Sequence, residues 1–198
     1  MQRWSIMSRN PVTRERVSAA AAELVDRCGV DALKLTTLAS TLGVRQSALY
    51  NHVAGVGDVL RELSLHARSL LTTELRTAAV GLSGDDAVFA LAGAWRSFVH
   101  HHPGLYAATD RCSTNADPEL TAGVAELVAV IGRVLTGYGL DDEQSEQAAW
   151  SLRSALHGFC VLEANEGHRE STDLDVVYRR LVALLCAGIK ETANSGDG

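Results

Sequence analysis

The stretch Leu35-Thr36-Thr37-Leu38-Ala39-Ser40-Thr41-Leu42-Gly43-Val44-Arg45-Gln46-Ser47-Ala48-Leu49-Tyr50-Asn51-His52-Val53 sets the terms for the whole chain. Its spacing predicts two short helices that cross closely through a tight turn. Close crossing needs a small residue on the facing side, and Ala39 supplies it. The turn needs a residue that tolerates positive φ, and Gly43 supplies it. Leu35, Leu38 and Leu42 anchor the first of these helices, which Thr36 or Thr37 is expected to cap. Val44, Ala48 and Leu49 plug the angle between the two. The second helix is expected over residues 45–52, with Arg45, Gln46, Ser47, Tyr50, Asn51 and His52 as its polar groups. Such groups suit hydrogen bonds to base edges and phosphates. They also fit a purely structural helical hairpin, with Tyr50 in the core and His52 an incidental surface residue.

Outward from this stretch, helical spacing dominates. Upstream, Thr13 is expected to cap a helix carrying Val17, Ala20, Ala21, Leu24, Val25 and Cys28, which Gly29 stops. Downstream, Gly55 and Gly57 break the chain and Asp58 sits where a helix N-terminus favours negative charge. A long helix follows with Val59, Leu60, Leu63, Ala67, Leu70 and Leu71. Further helices are expected from Asp85 (Val88, Leu91, Ala92, Trp95, Phe98, Val99), around 105–109, from Asp117-Pro118 to Leu135, from Asp141 or Asp142 to Glu166, and from Thr172 or Asp173. Gly167 is expected to close the penultimate helix. The last carries Leu174, Val177, Leu181, Leu184, Leu185 and Gly188. No alternating strand pattern occurs. The fold class is all-α, with about nine helices: an arm and three-helix unit over residues 1–57, then a larger helical domain over 58–198.

Composition narrows the function. The 198 residues are 46% hydrophobic and carry a net charge of -6. That balance argues against a generic polyanion binder. The charge is uneven, however: residues 1–60 hold seven Lys/Arg against five Asp/Glu, and residues 61–198 hold eleven against nineteen. A mildly basic front on an acidic body suits a small nucleic-acid-binding module joined to a larger domain that does not bind nucleic acid. The four cysteines (Cys28, Cys112, Cys160, Cys186) form no Cys-x-x-Cys pair and read as buried thiols in a reducing compartment. No signal peptide is evident, and no apolar run reaches the roughly 18 residues of a membrane span. The expected location is the cytoplasm. The first dozen residues and the polar tail from Asn194 are expected to be loose.

The pattern around Leu42-Gly43-Val44 and Leu49-Tyr50-Asn51-His52, set behind an amphipathic first helix, resembles the TetR-family transcriptional regulators. The motif covers roughly residues 10–60, and the remainder matches by helix count and length. The resemblance implies a helix-turn-helix DNA-binding domain. Thr36 and Thr37 would hold a phosphate at the start of the second helix. Arg45, Gln46 and Ser47 would open the reading helix towards bases. Tyr50 and His52 would meet the DNA backbone, and Asn51 would read an adenine edge or contact phosphate. One departure concerns affinity. The family commonly places a Lys at the start of the fourth helix, where this chain has Val56. Either DNA affinity is then lower, or Arg9, Arg14 and the N-terminal arm compensate. Trp150 to Gly167, with Leu156-His157-Gly158-Phe159, also resembles the C-terminal ligand-binding type named for a Trp-His-Gly signature.

Within that acidic domain, Trp95, Phe98, Tyr106, Trp150 and Phe159 are candidates for lining a ligand pocket, with Arg153 and His157 as polar anchors and Glu163 nearby. Aromatics at such spacing also serve as core. Arg153 and His157 lie four residues apart, so they share a helix face. His100-His101-His102 resembles a metal site, but consecutive histidines diverge around a helix, and a capped terminus before Pro103 fits them as well. A composite metal site with Cys112, His157 or Glu163 stays open, as does a sensor role for the Cys112 thiol. No metal site and no cofactor is assigned. No Gly-x-Ser-x-Gly, phosphate loop or His-Glu-x-x-His occurs, so no enzyme is expected.

One short reading helix makes too few contacts for specific binding, so paired modules on a palindromic operator of double-stranded DNA are expected. The last two long helices, about 142–166 and 173–193, would form a four-helix bundle in a homodimer. The expected function is a ligand-responsive repressor released by a small, largely apolar effector. The alternative is a helical small-molecule-binding or enzymatic domain that keeps a degenerate helix-turn-helix.

Overall fold

The computed structural model describes residues 11–166 and 173–195, and every described regular element is helical. The nine α-helices among the described residues are α1 (Arg14–Cys28), α2 (Leu35–Leu42), α3 (Gln46–Leu49), α4 (Val56–Ala78), α5 (Gly84–His101), α6 (Pro103–Ala108), α7 (Pro118–Leu135), α8 (Asp142–Glu166) and α9 (Leu174–Ser195). Short 3-10 turns follow α1, α6 and α7. Helix starts are set by local capping. Thr13 Oγ1 accepts from Arg16 N, Asp117 from Glu119 N and Leu120 N, Asp141 from Gln144 N, and Asp173 from Asp175 N and Val176 N. Each occupies orphan donors of a first turn.

The core forms around α4, which packs against α1, α5, α6 and α7. Its inward stripe is Val59, Leu63, Ala67, Leu71 and Leu75. Beside it runs a second buried stripe at four-residue spacing, Ser64, Arg68 and Thr72, and that one is polar. Helix α6 crosses α1 closely. An added Cβ on Gly104 would stand 1.9 Å from the Val25 carbonyl oxygen. Asp26 of α1 caps that crossing, accepting from Leu105 N at 2.7 Å and meeting His102 Nδ1 at 3.0 Å.

Several expectations change. Lys34, with no side-chain bond, precedes α2, and Thr36 and Thr37 lie inside its first turn. Burial of Leu35 draws the helix start forward. The reading helix is one turn long: Arg45 is its N-cap, and Tyr50, Asn51 and His52 follow as turn residues. These three are weak helix formers and Gly55 lies just beyond, so little holds a second turn. In α9 the inward stripe is Tyr178, Val182, Cys186 and Ile189, one residue on from the expected one, so Val177 and Leu184 face outward. Of the four cysteines expected to be buried, Cys28 is exposed and Cys112 half-buried. The segment Pro118–Tyr138 is long and apolar enough, at a mean hydropathy of 1.5, to cross a membrane by length and composition alone. Glu119, Glu126 and Arg133 interrupt its apolar run, and Leu120, Leu127, Val130, Ile131, Val134 and Leu135 are buried inside the fold. The arm with Arg9, the proposed stop at Gly167, the cap at Thr172 and the end of the tail lie outside the described residues.

Candidate nucleic-acid interface and effector cavity

The α2–α3 turn is built as its residues dictate. Gly43 takes the left-handed conformation at φ 66°, which side chains disfavour. Its N–H bonds Ser40 O at 3.1 Å, and Val44 N–H bonds Ala39 O at 3.0 Å. Leu38, Ala39, Leu49 and Val53 are buried beneath. This frame leaves Thr36, Arg45, Ser47, Tyr50 and Asn51 exposed on one end of the molecule, with Thr37, Gln46 and His52 partly exposed. Gln46 Nε2 lies 3.4 Å from Tyr50 Oη. Six of the eight sequence-derived positions, Arg45, Gln46, Ser47, Tyr50, Asn51 and His52, lie in or directly beside the one-turn helix, and Thr36 and Thr37 lie in the first turn of α2.

Arg14, one of the expected compensating cations, is engaged within the chain. It donates to the His52 carbonyl at 3.1 Å and to Asp58 at 2.9 Å, and it pairs with Glu62. Ser18 holds the other Glu62 oxygen. The Ala54 N–H and then Arg14 hold the Asp58 carboxyl below its ordinary range. Arg14 is therefore a brace that joins α1, the end of the reading element and the first turns of α4. Val56 begins α4, half-buried against the core. Exposed cations on the described part of this end include Arg14, already paired with Asp58 and Glu62, together with Lys34 and Arg45.

A cavity of about 480 Å³ lies between α4, the α6 end, α7 and α8. Its lining includes Arg68, Leu71, Trp95, Tyr106, Thr109, Asp110, Cys112, Val124, Leu127, Trp150, Arg153 and His157. Five of the seven sequence candidates therefore meet there: Trp95, Tyr106, Trp150, Arg153 and His157. Trp95 Nε1 donates to Tyr106 Oη at 3.0 Å, and that hydroxyl lies 2.7 Å from His157 Nδ1. An indole N–H can only donate. The hydroxyl accepts from the indole and shares one proton with His157 Nδ1, and His157 Nε2 lies 3.8 Å from Asp110. Burial pushes the Tyr106 hydroxyl well above its ordinary value, so it stays a neutral link. Trp150 is exposed at the mouth, with Arg153 stacked 5.4 Å from its ring centroid.

Phe98 and Phe159 are elsewhere. Phe98 is core, against His102 and Tyr106. Phe159 follows His157 by two residues, about 200° around the helix, and packs on Tyr178 at 4.8 Å. Glu163 is also on that side, where Arg96 holds both its oxygens. The three histidines diverge: His100 faces Glu163, His101 bonds the Ser97 carbonyl, and His102 meets Asp26. Among the described residues no group of three His, Cys, Asp or Glu side chains could hold a metal ion. Burial pushes the Cys112 thiol up, which lowers its thiolate fraction.

Sequence reasoning missed Arg68, Thr109 and Asp110. Thr109 and Asp110 lie in the turn after α6. The signal for Arg68 was present, as Ser64, Arg68 and Thr72 repeat at four-residue spacing beside an apolar stripe. Nothing in the sequence distinguishes such a stripe from a solvated face.

The C-terminal half, residues 88–185, matches the family model described as the tetracyclin repressor-like C-terminal domain. The chain is 39% identical to an uncharacterized HTH-type transcriptional regulator of Mycobacterium tuberculosis, Rv0681, over 93% of this chain and 85% of that protein. It is 30% identical to the uncharacterized HTH-type regulator YobS of Bacillus subtilis, over 82% of this chain and 85% of that one. The fold matches the transcriptional regulator SCO7222, a TetR from Streptomyces coelicolor, with a TM-score of 0.70 at 22% identity, over 92% of this chain and 100% of the other.

Proposed function

Since this chain belongs to the TetR family of helix-turn-helix transcriptional regulators, we propose that it acts in the cytoplasm as a homodimeric repressor of a palindromic operator, released by a small-molecule effector. Residues 1–57 do the DNA work, and residues 58–198 bind the effector and the second subunit. No catalytic step belongs to this reading.

The observation that carries it is the course of α4. One end is braced through Arg14 to the carbonyl of His52, and the same unbroken helix presents Arg68 and Leu71 to the cavity. Arg61 adds a second anchor, bonded to Asp117 at the start of α7 and paired with Glu119. A ligand that favours a tilted α4 changes the separation of two reading elements in a dimer. It acts as an inducer if it prefers the released conformer by a few kcal/mol. The exposed apolar residues Leu162 of α8 and Val176, Val177 and Leu184 of α9 support a dimer through these helices.

The test is binding to the DNA upstream of the protein's own gene, titrated with salt. A steep fall in affinity with salt is expected, because phosphate contacts release counterions. Tyr50→Ala and His52→Ala are each expected to weaken operator binding about fivefold or more, the worth of one polar contact. Full affinity in both folded variants removes this element from the DNA. Absence of binding at low salt favours the alternative, a helical small-molecule-binding domain with a degenerate helix-turn-helix.

A further inference from the structure

We infer that the cavity between α4, α7 and α8 takes an organic monocarboxylate, with its carboxylate held by Arg68 and Arg153 and its apolar body against Leu71, Trp95, Val124 and Leu127. The assignment rests on the effector reading above and narrows it to a chemical class.

Arg68 carries the argument. It is 7% exposed, and among the described residues no carboxylate lies within ion-pair distance of it. One terminal nitrogen bonds the Thr109 carbonyl at 2.8 Å, and the buried Nε has no partner. Its stem packs against α7 at Gly123, where an added Cβ would stand 3.4 Å from Arg68 Cδ. A guanidinium does not escape burial by losing its proton. Such a charge is costly to bury unpaired, and an anion in the cavity offsets that cost. Burial is the main influence lowering the Arg68 pKa, and the neighbouring Arg153 charge is the next.

The charge balance sets the valence of the ligand. Two guanidinium groups line the cavity against one carboxylate, Asp110, which lies near His157 Nε2. A single positive charge is left to be matched. A monoanion closes that balance and a dianionic phosphate monoester overshoots it. The planar carboxylate also fits the guanidinium fork with two parallel bonds. The apolar walls and a volume of about 480 Å³ suit a small aromatic or alkyl body.

The experiment compares 4-phenylbutyrate, its amide and 4-phenylbutyl phosphate on the full chain, read by tryptophan fluorescence from Trp95 and Trp150 and by thermal shift. The carboxylate is expected to bind at least about tenfold more tightly than the amide, the scale of a charge-assisted bond. Arg68→Met is expected to erase that preference and to melt no lower than the native chain without ligand. Equal binding of acid and amide, tighter binding of the phosphate, or a preserved preference in Arg68→Met overturns the inference and leaves the effector reading standing. Binding of none of the three overturns the inference, while the effector reading is judged separately by operator release. The wild-type comparison decides the point if Arg68→Met does not fold.

Discussion

Glu163 sits on the buried side of α8 with its two carboxylate oxygens 2.6 and 2.9 Å from the Arg96 guanidinium of α5. Arg96 also reaches Asp175 of α9 at 2.7 Å and lies 5.1 Å from the Tyr178 ring centroid. Three helices are thus tied at one cation. The Arg96 bonds hold the Glu163 carboxyl below its ordinary value of 4.5, against the opposing effect of burial. A depressed folded value means stability that is fully present above the unfolded pKa and lost as pH falls through the folded one. Glu163→Gln is expected to cost about 2 kcal/mol at pH 7, the scale of a broken, partly buried pair. The gap to wild type should narrow as pH falls below 4.5, measured by urea unfolding across the range. A gap that stays constant with pH places the loss in packing instead. The sequence marked Glu163 as a neighbour of the ligand pocket. Only the partner, sixty-seven residues away, reveals its structural role.

At the scale of elements, four helix starts were readable because caps act over three residues: Thr13, Asp117, Asp141 and Asp173 each close their own first turn, whereas the start of α2 was not, since Lys34 there makes no capping bond. The frame of the helix-turn-helix was readable for the same reason, as Ala39 and Gly43 each answer a local demand. The length of α3 and the one-residue shift of the α9 stripe were not, because both depend on what packs against them. The crossing of α6 over α1 belongs with these. Pro103-Gly104 reads only as a break, yet Gly104 is the point where two backbones meet. Gly104→Ala places a methyl group within 1.9 Å of the Val25 oxygen, so one helix must move. We expect a loss of about 3 kcal/mol or more and a melting temperature lower by roughly 6–12 °C. Gly132→Ala in α7, where nothing lies within 4 Å, should instead gain about 0.5–1 kcal/mol from lost chain entropy. Similar melting temperatures for the two variants would refute the close crossing.

On the scale of the whole molecule, α8 and α9 have two apolar faces each, and a single chain fills only one. Leu152, Leu156, Cys160, Tyr178, Val182, Cys186 and Ile189 are buried within the subunit. Leu162, Val176 and Leu184 are left outside, with Leu184 66% exposed. Periodicity in the sequence found both helices, but the two faces overlap in such a pattern and only packing separates them. A second copy applied by twofold symmetry would cover the outer face and set two reading elements at a fixed distance. Leu184→Glu then removes one apolar contact per subunit, counted twice by the symmetry, and adds two buried charges. The dimer dissociation constant should rise by about a hundredfold or more, read by sedimentation, with helical content unchanged. Operator affinity should fall with it, because each module alone makes too few base contacts. Val80→Glu, on the exposed turn after α4, should change neither. If Leu184→Glu stays dimeric at the native concentration dependence, the outer face of α9 is not the subunit interface, and the proposed coupling of α4 tilt to operator spacing needs a different dimer axis.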